Sequence, residues 1–155
     1  MAAKWILLAT FALSLIGVGQ VWLVQLSSYP LWAYVGRAEF RDYHRAWWRS
    51  IWGVILGPAC FTSLGAVLML KWRVAGVPAW ATWTGLGLQA CFILGTAAWW
   101  GPLMARLQKP DGSLDIRRYQ LLISTHWIRV IVITGYGALV GWMAAISLKL
   151  VSAPS

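Results

Sequence analysis

The residues of this 155-residue chain best suited to chemistry are two histidines and one arginine. His126 and Arg129 stand three apart, hence on one face of a helix, near the start of the apolar run from Leu121 to Leu148. His44 lies in the segment AEFRDYHRAWWRS, with Glu39 and Asp42 shortly before it and Tyr43 beside it. An imidazole can give or take a proton near neutral pH. A guanidinium supplies charge-assisted hydrogen bonds to an anionic or carbonyl oxygen. Read together, His44 and His126 are candidate acid–base or ligand groups and Arg129 the oxygen partner. Glu39, Asp42 and Tyr43 are candidate supporting groups, the two carboxylates as counter-charge. The same histidines could ligate a haem as a pair, or iron with one carboxylate, but no metal-ligand spacing motif accompanies them. A wall drawn from the thirteen tryptophans would stack on a flat aromatic or quinone-like molecule.

The elements that would position these residues are membrane spans. Sixty per cent of the chain is hydrophobic, 11% is charged and the mean hydropathy is +0.66, far from the roughly 25% charge of a soluble domain. Four runs are long enough to cross a bilayer, at residues 5–26, 51–70, 80–104 and 121–148. Lipid offers backbone amides no partner, so such runs fold as helices. The expected fold is therefore all-α: one transmembrane domain, an integral membrane four-helix bundle. Although the N-terminal run follows a lysine like a signal peptide, it continues to Leu26 without a small-x-small cleavage pattern. It is read as the first span.

Between the first two spans, Pro30 and Gly36 mark a break. An amphipathic segment over 38–50 follows, with Phe40, His44, Trp47, Trp48 and Ile51 on one side and Arg41, Arg45 and Arg49 on another. It is expected to lie in the headgroups as an interfacial helix packed against the fourth span. Gly53 and Gly57, and farther on Gly137, Gly141 and Ala145, have the small-residue spacing that lets helices approach. Pro58 should kink the second span. Pro110-Asp111-Gly112 signals a turn, after which Ser113 or Asp115 could cap the last helix.

Topology gives the polar residues one address. Eight basic residues, Arg37, Arg41, Arg45, Arg49, Arg106, Lys109, Arg117 and Arg118, fall in the loops after the first and third spans. Lys4, Lys71, Arg73 and Lys149 fall on the other side. The positive-inside bias puts the basic loops in the cytoplasm and both termini outside. His126, Arg129 and the His44 segment then share the inner leaflet. If the last helix slides outward, Arg129 merely snorkels. If Arg118 and Tyr119 set the interface, Arg129 lies about 15 Å deep and needs a partner.

The net charge of +9 follows from those loops rather than from nucleic-acid binding. No dinucleotide fingerprint, phosphate loop, nucleophile elbow or zinc-protease motif is present. Cys60 and Cys91 fall inside apolar runs, where free thiols behave as small buried hydrophobes.

YPLWAYVG, then AEFRDYHRAWW, then a span containing Pro58, then THWIR at the last span: this order resembles a group of uncharacterised four-span bacterial membrane proteins. Phe40, Tyr43 and His44 match its F-x-x-Y-H segment. Trp127, Ile128 and Arg129 match its N-W-I-R-T segment, with His126 standing where that group has Asn. More distantly the chain is similar to the anthrone oxygenase-like membrane family, which implies oxidation of polycyclic phenolic substrates. The expected function is a membrane-embedded pocket for a hydrophobic aromatic or quinone-like ligand, with oxygenase-type chemistry. The rivals are a haem-binding membrane protein and a non-catalytic subunit or assembly factor. In the last, glycine stripes and tryptophans would face a membrane protein partner.

Overall fold

The structure, a computed structural model, describes residues 1–148, with Trp52 described through its backbone only. Lys149, expected to mark the interface after the last span, lies outside the described residues. Four helices are long and apolar enough to cross a membrane: α1 (Ala2–Tyr34), α2 (Phe40–Lys71), α3 (Ala79–Ala105) and α4 (Ile116–Ser147). Among the described residues there is no strand, only one antiparallel bridge between Gln108 and Leu114 in the loop before α4.

α1 is longer than its apolar run. The expected break at Pro30 is absorbed by a π-helical turn, Val24–Ser28, after which Pro30 sits in the first turn of the next helical segment. There its missing N–H costs little. The chain leaves the helix only after Tyr34, where Val35 is extended.

The amphipathic segment differs from expectation in a similar way. Phe40–Ile51 is helical, with Phe40 and His44 buried, but it is not a separate interfacial helix. It passes through a π-helical turn, Trp52–Leu56, into Gly57–Lys71. No glycine or proline stands between Phe40 and Trp52 to end the helix. α4 begins at Ile116, five residues before its apolar run. The Asp115 carboxylate caps it by accepting from the backbone N–H groups of Arg117 at 3.1 Å and Arg118 at 3.2 Å.

α1 and α3 each pack against α4 and against the Gly57–Lys71 half of α2. α4 is the most enclosed: half of its most apolar window is buried, against 22% in each of the other three. Its Gly137 and Gly141 lie under Ser14, Val18 and Phe11 of α1, leaving no room for larger side chains. Gly53 and Gly57 behave otherwise, facing open space rather than a neighbouring helix. Cys60 and Cys91 are free and exposed, not buried.

The interior is layered along the helix axes. At the end holding the chain start, Leu7, Met69, Tyr136, Val140 and Met143 form one cluster. Val21, Phe92, Val130 and Ile133 fill the middle. At the basic end Tyr29, Trp32, Phe40, Leu107 and Leu122 close the third cluster, each 1% exposed or less.

Candidate functional site

Three of the four long helices widen at the same level, and for the same reason. Proline cannot donate to the carbonyl four residues back, and its ring clashes with it. A π-helical turn relieves that clash by inserting one residue. Such turns at Val24–Ser28, Trp52–Leu56 and Thr96–Trp100 end two residues before Pro30, Pro58 and Pro102 respectively. The carbonyl that Pro58 cannot serve, that of Val54, instead accepts from Gln20 Nε2 of α1 at 2.5 Å.

The widened turns surround a cavity of about 200 Å³. Val24 and Tyr29 of α1, Ile55 and Leu56 of α2, and Thr96 and Ala97 of α3 belong to its wall. Trp47 and Trp48 add an aromatic side, and α4 contributes His126 and Arg129. The cavity is thus almost wholly apolar with a polar end.

His126 is 1% exposed. Its Nδ1 lies 2.7 Å from the Gln25 amide oxygen, which makes Nδ1 the protonated nitrogen and Nε2 the acceptor. Gln25 is itself anchored, donating through Nε2 to the Ile123 carbonyl at 3.4 Å. The Tyr29 ring meets the His126 ring edge-on at 4.9 Å. The Tyr29 hydroxyl donates to Met104 Sδ at 3.3 Å, and the Tyr29 carbonyl accepts from Tyr119 Oη at 3.1 Å.

Arg129 is 6% exposed. Its guanidinium sits over the rings of Phe92 at 5.2 Å and Trp100 at 5.5 Å. The Trp100 ring is fixed by its own Nε1, which donates to Thr125 Oγ1 at 3.2 Å. The Tyr29 hydroxyl is the polar neighbour of the guanidinium. Arg129 Nε is buried without an acceptor, and among the described residues no carboxylate pairs with Arg129. Such a charge costs about 2.5–3.5 kcal/mol at the centre of a spanning helix. Ring faces return roughly 0.5–2 kcal/mol each, and the Nε–H remains unsatisfied.

His44 occupies different surroundings. It is buried among aromatic rings, stacked on Phe40 at 5.6 Å and on Trp48 at 6.3 Å, and edge-on to Trp32 at 5.8 Å. Its Nδ1 is 2.9 Å from Gln108 Nε2, so Nδ1 accepts and Nε2 carries the proton. That Nε2 faces the Met104 carbonyl side without closing a hydrogen bond. His44 is not part of the cavity wall. It reaches His126 through two intervening rings, Trp47 and Tyr29. Glu39 and Asp42 are exposed, and Asp42 pairs with Arg45 at 3.6 Å. Tyr43 is 37% exposed. Among the described residues no group of three or more histidine, cysteine or acidic residues could hold a metal ion.

The structure therefore brings His126 and Arg129 together, sets His44 two aromatic rings away from His126, and leaves Glu39 and Asp42 at the surface. Tyr29, Phe92, Trp100 and Met104 complete the site without having stood out in the sequence. Pro30, Pro58 and Pro102, one inside each of three long apolar helices, were the signal that could have located them.

No family model, curated protein or solved structure matches the chain, so the reading of this site rests on its own geometry.

Proposed function

We propose that the chain is an integral membrane four-helix bundle whose cavity holds a hydrophobic aromatic or quinone-like ligand. The observation that carries this reading is Arg129: a guanidinium nine-tenths buried, on a cavity wall, with a donor that no protein acceptor satisfies. Unpaired buried charge is retained where it has work to do. A carbonyl or phenolate oxygen from a ligand would complete it.

In this reading Arg129 binds the ligand oxygen and Tyr29 shapes the polar end. His126, oriented by Gln25, presents Nε2 as proton acceptor. Trp47, Trp48 and Tyr29 supply stacking surface. His44 is a positioning residue: its ring backs Trp47 and Trp48 and does not touch the ligand. Oxygenase-type chemistry rests on the resemblance to the anthrone oxygenase-like family. The excess of Lys and Arg in the two basic loops supports a cytoplasmic location for this end of the bundle, and the resemblance to bacterial four-span proteins supports the inner membrane with both termini periplasmic.

A second reading is favoured by one observation. Among the described residues nothing lies within 4 Å of a Cβ placed on Gly53 or Gly57, as the approach of a membrane partner's helix would require. Mass spectrometry of the protein purified in mild detergent separates the two. A stoichiometric small aromatic species supports the pocket, and a co-purifying membrane protein with an empty cavity supports the subunit.

A further inference from the structure

The cavity is closed along the helix axes and open sideways. Toward the basic end, Trp32, Phe40, Leu107 and Leu122 are all 0% exposed and pack as one apolar layer. Toward the other end, Val21, Phe92, Val130 and Ile133 fill the interior. Between α2 and α3 the situation differs. These helices pack together over Gly57–Lys71 and Ala79–Gly95, then diverge over the stretches that flank the cavity. The described wall there includes Ile51, Ile55 and Leu56, all half-buried, Thr96, and Ala97, which is exposed. The one polar side chain among them, Thr96, donates its hydroxyl to the Phe92 carbonyl of its own helix at 2.6 Å, so the rim suits acyl chains rather than water.

Volume then limits what fits. An apolar cavity of about 150 Å³ holds one benzene ring. The cavity here, about 200 Å³, takes a head of one ring or roughly two fused rings. Anything larger must leave its remainder in the slot.

We infer that the ligand is a tailed membrane lipid with a quinone or phenol head, loaded from the bilayer through the slot between α2 and α3. The head oxygen meets Arg129, the ring lies against Trp47 and Trp48, and the apolar tail leaves past Ile55 and Ala97. This inference rests on the pocket reading above and adds the direction of loading and the two-part shape of the ligand.

The test compares two probes with the same head: menadione, a naphthoquinone without a tail, and menaquinone-4, which carries an isoprenoid tail. The quinone retained per protein after gel filtration in mild detergent is quantified for the native chain, Ala97→Trp and Arg129→Gln. Ala97 is exposed, so a tryptophan there narrows the slot without entering the packed interior. The native chain is expected to bind menaquinone-4 about tenfold more tightly than menadione. Ala97→Trp should remove that difference by weakening menaquinone-4 far more than menadione. Equal native affinities, or an Ala97→Trp variant that weakens both probes alike, would overturn the slot. If Arg129→Gln then abolishes binding of both, the pocket stands and only the loading route fails. If neither probe binds the native chain, or Arg129→Gln leaves both bound, the pocket reading fails as well.

Discussion

His126 Nδ1 and the Gln25 amide oxygen lie 2.7 Å apart, joining the π-helical turn of the first helix to the last helix across 101 residues of sequence. Both side chains are buried, so the bond fixes the imidazole ring and its tautomer together. Gln25→Leu keeps the volume but strands the His126 N–H. It should lower stability by about 1–3 kcal/mol, the cost of an unsatisfied buried donor. Thermal unfolding in detergent checks this, and Gln25→Glu, which keeps an acceptor, should lose less.

Pro58 and Gln20 form a second coupled pair, because the glutamine serves the carbonyl that the proline frees. Pro58→Ala restores a backbone N–H that can bond back to the Val54 carbonyl, and the π-helical turn is no longer required. Stability should hold or rise. Ligand retention should fall, because a regular turn draws Ile55 and Leu56 into the cavity. A variant that retains as much ligand as the native chain would show that the widened turn is incidental.

At the basic surface the carboxylate of Asp111 accepts from the Ser113 amide at 2.9 Å and from the Ser113 hydroxyl at 2.7 Å. These bonds, with smaller help from Lys109 and Arg37, hold its pKa below the ordinary 3.8. A depressed pKa contributes stability that is present above the unfolded value and lost as pH falls through the folded one. Protection of the Ser113 amide, corrected for intrinsic exchange, should therefore stay level near neutral pH and decline progressively as pH falls through the ordinary carboxylate range. Asp111→Asn keeps an acceptor without the titration, and its profile should be flat throughout.

The four long apolar helices were legible because a long apolar run leaves the backbone little choice: every backbone group must be satisfied locally. The pairing of His126 with Arg129 was legible from helical spacing alone, and the Asp115 cap from residue type. Helix ends were less so. Pro30 reads as a break, yet a π-helical turn carries α1 through it. The amphipathic stretch reads as a separate interfacial helix, yet nothing in it stops the helix from entering α2. His44 illustrates the deeper limit. Its neighbours in sequence are charged, while its neighbours in space are the rings of Trp32, Phe40, Trp47 and Trp48. Spacing along one segment shows which face a residue shares, not which face of another helix receives it.

The most direct measurement concerns Arg129, whose buried donor without an acceptor is the basis of the pocket. In Arg129→Met the charge is gone and most of the apolar stem is kept, so the penalty of about 2.5–3.5 kcal/mol for placing it in a span disappears. Thermal unfolding and mass spectrometry of the bound species are read on the same detergent-purified sample. Loss of the small lipophilic ligand with an equal or higher unfolding midpoint is the predicted result. A destabilised variant that still carries its ligand would show that Arg129 holds the fold together and binds nothing.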